Sequence, residues 1–285
     1  MDINWYPGHM TGAKRKMQEE LKLVDCIIEI LDARLPISSR NPDINPLCNG
    51  KGRVLLLNKI DLADLAETKK WLEYFKKEGY QVVTLDSRNR KEALKVNAAV
   101  REACKEKIER DRRKGIMNRP VKAMVCGIPN VGKSTFINSF VGRASAKTGN
   151  KPGVTKGNQW IRISNDLNLL DTPGILWPKF EDQTVGYKLA FIGSINDNIL
   201  DINDIAFELL KYLQKYYCNL LADRYKLEDV AITPETDTLS ILDGIAIDRK
   251  CLKKGGEPDY LRASKLILDD LRSGRLGRIT FDRVD

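Results

Sequence analysis

The segment Gly127-Ile128-Pro129-Asn130-Val131-Gly132-Lys133-Ser134 has the form G-x-x-x-x-G-K-[ST]. It sits between an apolar run, Val121–Cys126, which reads as a strand, and a helical stretch opening at Lys133. That is the context in which this pattern cradles phosphates. Two glycines let the backbone curl so that its N–H groups point inward at an anion, and the helix N-terminus behind adds partial positive charge. Lys133 is placed to reach the outer phosphates and Ser134 to ligate magnesium. The residues expected to touch the nucleotide here are Asn130, Val131, Gly132, Lys133, Ser134 and Thr135.

Asp171-Thr172-Pro173-Gly174 reads as D-x-x-G and follows the apolar run Leu167 to Leu170, about 40 residues beyond the phosphate loop. Asp171, at a strand end, can hold the magnesium through water, and the Gly174 N–H can bond a terminal phosphate. Between the two motifs, Pro152-Gly153-Val154-Thr155 offers the Thr155 hydroxyl as another magnesium ligand. Asn150, Lys151 and Gly153 around it suit a switch that orders about a terminal phosphate. A plain surface loop is the competing reading.

Asn58-Lys59-Ile60-Asp61 is N-K-x-D, directly after the apolar run Arg53 to Leu57. The Asp61 carboxylate can accept from both N1–H and the exocyclic amine of guanine. Adenine lacks that donor pair, so the wrong base would leave Asp61 unpaired. The Lys59 stem can cover the base face, and Asn58 can tie this loop to the phosphate loop. Asp86-Ser87-Arg88, after the next strand, is positioned to supply an N–H to the guanine O6. Its usual form is Ser-Ala-Lys, from which Arg88 departs.

The elements that must carry these loops alternate. Cys26 to Leu31, Arg53 to Leu57 and Gln81 to Leu85 read as strands, the first of them apolar enough to be buried on both faces. Thr11 to Val24, Asp64 to Lys77 and a single long charged stretch from Lys91 to Lys114 read as helices. Trp160 to Ser164 and Leu167 to Leu170 form a hairpin about Asn165-Asp166. Beyond Pro178, Tyr187 to Gly193, Asp204 to Tyr217 and Tyr260 to Leu271 look helical. The expected fold is α/β, a mostly parallel sheet flanked by helices over residues 1–180, with a smaller all-helical domain over 181–285.

Composition narrows the setting. The chain has 285 residues, 42% of them hydrophobic, and a net charge of +9. No apolar run is long enough to span a bilayer, and the first residues lack the basic start and apolar core of a secretory signal, so a cytoplasmic protein without membrane partners is expected. Six cysteines without a C-x-x-C pair and one histidine argue against zinc and for reduced thiols. The positive balance favours polyanionic partners, although a solvated basic surface would look the same. Lys14-Arg15-Lys16 and the stretch Arg272 to Arg278 are the candidate RNA-facing pieces, and either also reads as a solvated helix end.

The motif order is permuted. A conventional small GTPase runs phosphate loop, switch, D-x-x-G, N-K-x-D and Ser-Ala-Lys, whereas here the last two come first. With that order, and with Trp5-Tyr6-Pro7-Gly8-His9-Met10 at the start, the chain resembles the circularly permuted P-loop GTPases of the YlqF/YawG type. The resemblance implies GTP binding and hydrolysis to GDP with Mg2+, assistance to late maturation of the large ribosomal subunit, and rRNA contact through the helical domain. It also implies a potassium ion near the phosphates at Asn130, and a catalytic role for His9. Ile175 and Leu176 follow D-x-x-G where many GTPases carry a water-orienting glutamine, and an imidazole at His9 could do that work. A free monomer is expected. The alternative is a GTP-dependent protein-signalling switch without a ribosomal partner, which would have no need of the basic charge.

Overall fold

The computed structural model describes residues 18–48, 50–117, 119–142, 159–172, 182–227 and 231–284. The chain divides into two compact units, one of residues 4–179 with 280–285, the other principally of residues 180–279. The sequence placed this division near residue 181 and ran the second domain to the end of the chain.

The first unit is built on a six-stranded sheet in the order β3-β2-β1-β4-β6-β5. Its strands are β1 Cys26–Asp32, β2 Gly52–Asn58, β3 Gln81–Leu85, β4 Val121–Cys126, β5 Gln159–Arg162 and β6 Leu167–Asp171. All neighbours are parallel except β5, which runs antiparallel to β6 through the expected hairpin. Every residue of β1 is buried, as a strand covered on both faces requires. Strand register decides where the motif loops emerge. Asp32 pairs with Asn58, and Asn58 with Leu85, so β1, β2 and β3 end in line. Val125 pairs with Asp171, so β4 and β6 end at the same edge. The loops that follow Asn58, Leu85, Cys126 and Asp171 therefore leave the carboxyl ends of parallel strands, where open α/β sheets bind ligands.

Helices cover the sheet. α1 (Leu65–Lys77) is capped by Asp64, whose side chain accepts from Ala66 and Glu67 N–H. It buries Trp71 and Phe75 in a cluster with Leu31, Leu55, Leu57 and Ala63. The single helix read over Lys91 to Lys114 is instead two, α2 (Arg90–Ala103) and α3 (Lys105–Arg113), divided at Cys104 with φ −106° and ψ 10°. The buried positions of α2, Val96 and Val100, end at Cys104. α3 then carries Lys107 to within 3.6 Å of the Asp25 carboxylate, so the break falls where apolar packing gives way to a charge contact. α4 (Lys133–Val141) follows β4 through the phosphate loop.

The second unit holds α5 (Gln183–Phe191), α6 (Ile202–Arg224), α7 (Thr238–Asp248) and α8 (Tyr260–Arg272). Leu209, Leu210 and Leu213 of α6 and Ala263, Ile267 and Leu271 of α8 are buried at helical spacing. α6 kinks at Tyr217, where φ is −140°. Asp270, 1% exposed, accepts from the Arg224 guanidinium at 2.8 and 3.0 Å, from Tyr225 Oη at 2.9 Å and from Arg275 Nε at 2.5 Å. Arg272 donates to the Ala190 and Phe191 carbonyls and pairs with Asp197 at 2.6 Å. Arg272 and Arg275 of the candidate RNA-facing stretch are thus engaged inside this unit, whereas Arg278 is exposed. Lys14, Arg15 and Lys16 lie outside the described residues.

Candidate nucleotide site

Asn58 is the joint of the site. Its amide is 1% exposed. Nδ2 donates to the Val131 carbonyl at 2.7 Å, and Oδ1 accepts from the Ser87 N–H at 2.9 Å. One side chain thereby fastens the phosphate loop after β4, the N-K-x-D loop after β2 and the loop after β3 to each other. Gly132 shows how closely they approach: it has φ +96°, and a Cβ there would lie 2.3 Å from Asn58 Nδ2. At the other end of the loop, Gly127 leaves 2.5 Å between a notional Cβ and the Ile30 carbonyl oxygen. Only glycine fits either place.

Gly132 caps α4 with no side-chain hydrogen bond, and Ser134 and Thr135 stand on the opening turn, where a helix presents its N–H groups and partial positive charge. Lys133 is 7% exposed, and its ammonium folds onto the carbonyls of Gly127 at 3.0 Å and Ile128 at 2.8 Å. Burial pushes its pKa down to about 8 against the opposing pull of Asp171. Asp171 is 3% exposed, and burial pushes its carboxyl up to about 6, with Lys133 again opposing. Its Oδ1 is buried without a hydrogen-bond partner among the described residues. A buried acceptor held beside a lysine and a phosphate loop fits the Mg2+ that GTPases take with their nucleotide.

The base-reading side carries one surprise. Asp61 Oδ2 lies 2.7 Å from Arg88 Nη2, and Arg88 also clasps Asp86 at 2.6 Å. A guanine reaching Asp61 must therefore exchange with Arg88, whose side chain is 66% exposed. The backbone donors of the Asp86-Ser87-Arg88 loop are also engaged: Asp86 N–H with Glu92, Ser87 N–H with Asn58 and Arg88 N–H with the Asp86 carboxylate. An O6 contact requires one of these to exchange, most cheaply the last, whose partner is on the surface.

Lys59 stands at φ +62°, left-handed for a lysine, and its ammonium reaches the Asn130 carbonyl at 2.6 Å and Asp32 at 3.0 Å. Burial lowers its pKa, and Asp32 opposes that. Asn130 is left-handed as well, at φ +61°. The structure thus brings together Asn58, Lys59, Asp61, Asp86, Ser87, Asn130, Val131, Gly132, Lys133 and Asp171 at one sheet edge. His9, Thr155 and Gly174 lie outside the described residues.

Sequence reading missed Asp32 and Arg34. Arg34 is fully buried, with Nε and Nη2 bidentate on the Asp32 carboxylate at 2.9 and 2.8 Å. The available signal was an acid and an arginine directly after an apolar strand at this same edge.

A doubly wound sheet whose strand ends carry a phosphate loop, a D-x-x-G aspartate and an N-K-x-D loop defines a P-loop GTPase, an enzyme that hydrolyses GTP, here in circularly permuted order. Comparison with known proteins agrees. A family model described as 50S ribosome-binding GTPase matches residues 122–231. Ribosome biogenesis GTPase A of Bacillus cereus is 46% identical over 282 residues, covering 99% of this chain and 94% of that protein. Its counterpart in Thermotoga maritima is 33% identical over 99% of this chain and 95% of that one. Solved structures of YlqF from T. maritima, one GDP-bound and one GNP-bound, superpose with TM-scores of 0.67 and 0.65 at 29% and 30% identity, covering 94% and 95% of this chain and 99% and 98% of theirs. The chain belongs to the ribosome biogenesis GTPase A family.

Proposed function

We propose that this GTPase assists late assembly of the large ribosomal subunit, binding its precursor and rRNA through the helical unit while GTP is held at the sheet edge. The observation that carries the nucleotide assignment is the Asn58 amide joined to Val131 and Ser87, because it unites base-reading and phosphate-binding loops in one site. In this reading Asp61 accepts from guanine and Lys59 covers its face. Lys133 leaves the Gly127 and Ile128 carbonyls for the outer phosphates. Ser134, Thr155 and Asp171 hold Mg2+, Asn130 holds a potassium ion, Gly174 contacts the terminal phosphate, and His9 orients the attacking water. Magnesium supplies charge neutralisation on the phosphates.

For rRNA, the support is a stripe along α6. Lys211 lies over the Phe207 ring at 4.8 Å and Lys215 over Tyr216 at 5.0 Å, with the Tyr212 and Tyr216 rings 4.6 Å apart. Lys211, Lys215 and Tyr216 are exposed. Cations beside exposed aromatic faces are what single-stranded and looped RNA uses for phosphate contact and base stacking. Among the described residues no helix is long and apolar enough to cross a membrane. A cytoplasmic, monomeric free protein completes the proposal.

The test is GTP turnover by the purified protein with and without immature large subunits, in potassium and in sodium, with cosedimentation in a GTP analogue against GDP. Stimulation by the particle, potassium dependence and analogue-dependent cosedimentation are expected. Turnover indifferent to the particle, with no cosedimentation, would leave a protein-signalling switch as the reading.

A further inference from the structure

Asp32 and Arg34 belong to none of the nucleotide motifs, yet they stand behind one of them. Asp32 Oδ2 takes both Arg34 Nη2 at 2.8 Å and Lys59 Nζ at 3.0 Å, and Lys59 continues to the Asn130 carbonyl at 2.6 Å. A lysine at positive φ is strained and persists only where its surroundings over-determine it. Here those surroundings are Asp32 and Asn130.

In the other direction, the chain of contacts ends on Thr280–Val284. Phe281 N–H donates to the Arg34 carbonyl at 2.8 Å. The buried Asp282 carboxylate accepts from Ile37 N–H at 2.9 Å, Ser38 N–H at 2.7 Å and Ser38 Oγ at 2.6 Å. Trp71 Nε1 donates to the Asp282 carbonyl at 3.1 Å, and Arg283 reaches Glu67 at 3.3 Å. Thr280 Oγ1 accepts from the N–H of Asp64, a few residues past Asp61, at 3.1 Å. Val284 packs on the cluster of Leu31, Ala33 and Leu57, as does Ile60 of the base-reading loop itself.

We propose that Thr280–Val284 is a positioning clasp for the guanine-reading loop. By fixing the turn after β1 on one side and the chain beyond Asp61 on the other, it holds Lys59 and Asp61 in register with the phosphate loop. Base selectivity then depends on a segment more than 200 residues away in sequence. These are positioning residues, since they lie outside the nucleotide motifs and contact the turns that carry them. The inference rests on the assignment of Asp61 to the guanine edge.

The experiment compares affinities for GDP and for IDP, which lacks the exocyclic amine that Asp61 would accept from. Calorimetry on the full chain, on a chain ending at Ile279, and on the point variants Asp282→Asn and Ser38→Ala gives the GDP-to-IDP ratio for each, with inorganic pyrophosphate as a probe of the phosphate loop alone. The parent is expected to prefer GDP by at least about tenfold, the worth of one hydrogen bond to a charged group. Truncation and Ser38→Ala are expected to narrow that ratio about fivefold or more, with pyrophosphate affinity held within twofold. Asp282→Asn, which keeps an acceptor oxygen, should fall between. A merely structural role would weaken all three ligands together at a constant ratio, and that result overturns the clasp, as does no change. If the truncated chain fails to fold, the point variants decide. A parent ratio near one strikes the Asp61 assignment beneath the proposal, whereas a wide parent ratio that every variant keeps strikes the clasp alone.

Discussion

Replacing Asn58 with alanine removes the joint between three loops, and the structure gives the size of the effect. The amide is 1% exposed, and the substitution leaves the Val131 carbonyl, bonded at 2.7 Å, and the Ser87 N–H, bonded at 2.9 Å, without partners. Each buried polar group left unpaired costs about 1–3 kcal/mol, and partial rehydration at a sheet edge trims the sum to about 2–4 kcal/mol. Leu55, Leu56 and Leu57 remain fully buried in β2, so the sheet survives and the loss falls on the closed arrangement of loops that nucleotide needs. At about 1.4 kcal/mol per factor of ten, GDP affinity should drop roughly 30- to 700-fold. Titration calorimetry measures this directly, with a urea melt on the same protein to locate the cost. Asn58→Asp sharpens the comparison, because it keeps an acceptor for Ser87 but turns a carboxylate oxygen toward the Val131 carbonyl. It should bind no better than the alanine variant. GDP affinity within threefold of the parent in Asn58→Ala would refute the reasoning.

Gly132→Ala places a methyl 2.3 Å from Asn58 Nδ2 at φ +96°, so GDP binding should weaken more than about 100-fold while the melting temperature shifts by only a few degrees. Removing Arg88, which competes for Asp61, should tighten GDP binding up to about fivefold at low ionic strength, the range an exposed ion pair allows, and weaker binding would count against exchange at that carboxylate. Asp32→Asn leaves the buried Arg34 charge and the half-buried Lys59 charge uncompensated and should cost about 3–5 kcal/mol in denaturant unfolding. Burial alone would raise the Asp32 pKa, but Arg34 and Lys59 outweigh it and hold the carboxyl well below its ordinary value of 3.8. The unfolded chain therefore takes up this proton first, so the contribution is complete above that value and is lost as pH falls below it. The acid limb of the stability curve should be flatter in Asp32→Asn than in the parent, and identical limbs would contradict the assignment.

Most of the candidate site was legible in local pattern, because the loops after β2, β4 and β6 each open on a short motif directly after an apolar strand. Gln81–Leu85 and Val121–Cys126 form strands with the bounds their composition indicated. What escaped depends on partners distant in sequence. Arg34 looks like a surface arginine until Asp32 is seen beneath it and Phe281 beyond it, and the break at Cys104 answers a contact with Asp25 rather than any helix breaker. α7 was missed, since Thr238–Asp248 mixes Ile241, Leu242 and Ile245 with Gly244 and shows no clean polar face. Arg272 and Arg275 looked available for RNA because a basic run betrays nothing of Asp197 and Asp270, which claim them.

The return of Thr280–Val284 to the nucleotide-binding unit makes the helical unit an insertion, moored at both ends. One mooring is the strand bearing Asp171, the other the segment beside Arg34 and Asp64. A segment tethered at both ends samples fewer conformations than one tethered at a single end. A chain cut after Ile279 would release one of these tethers and leave the other.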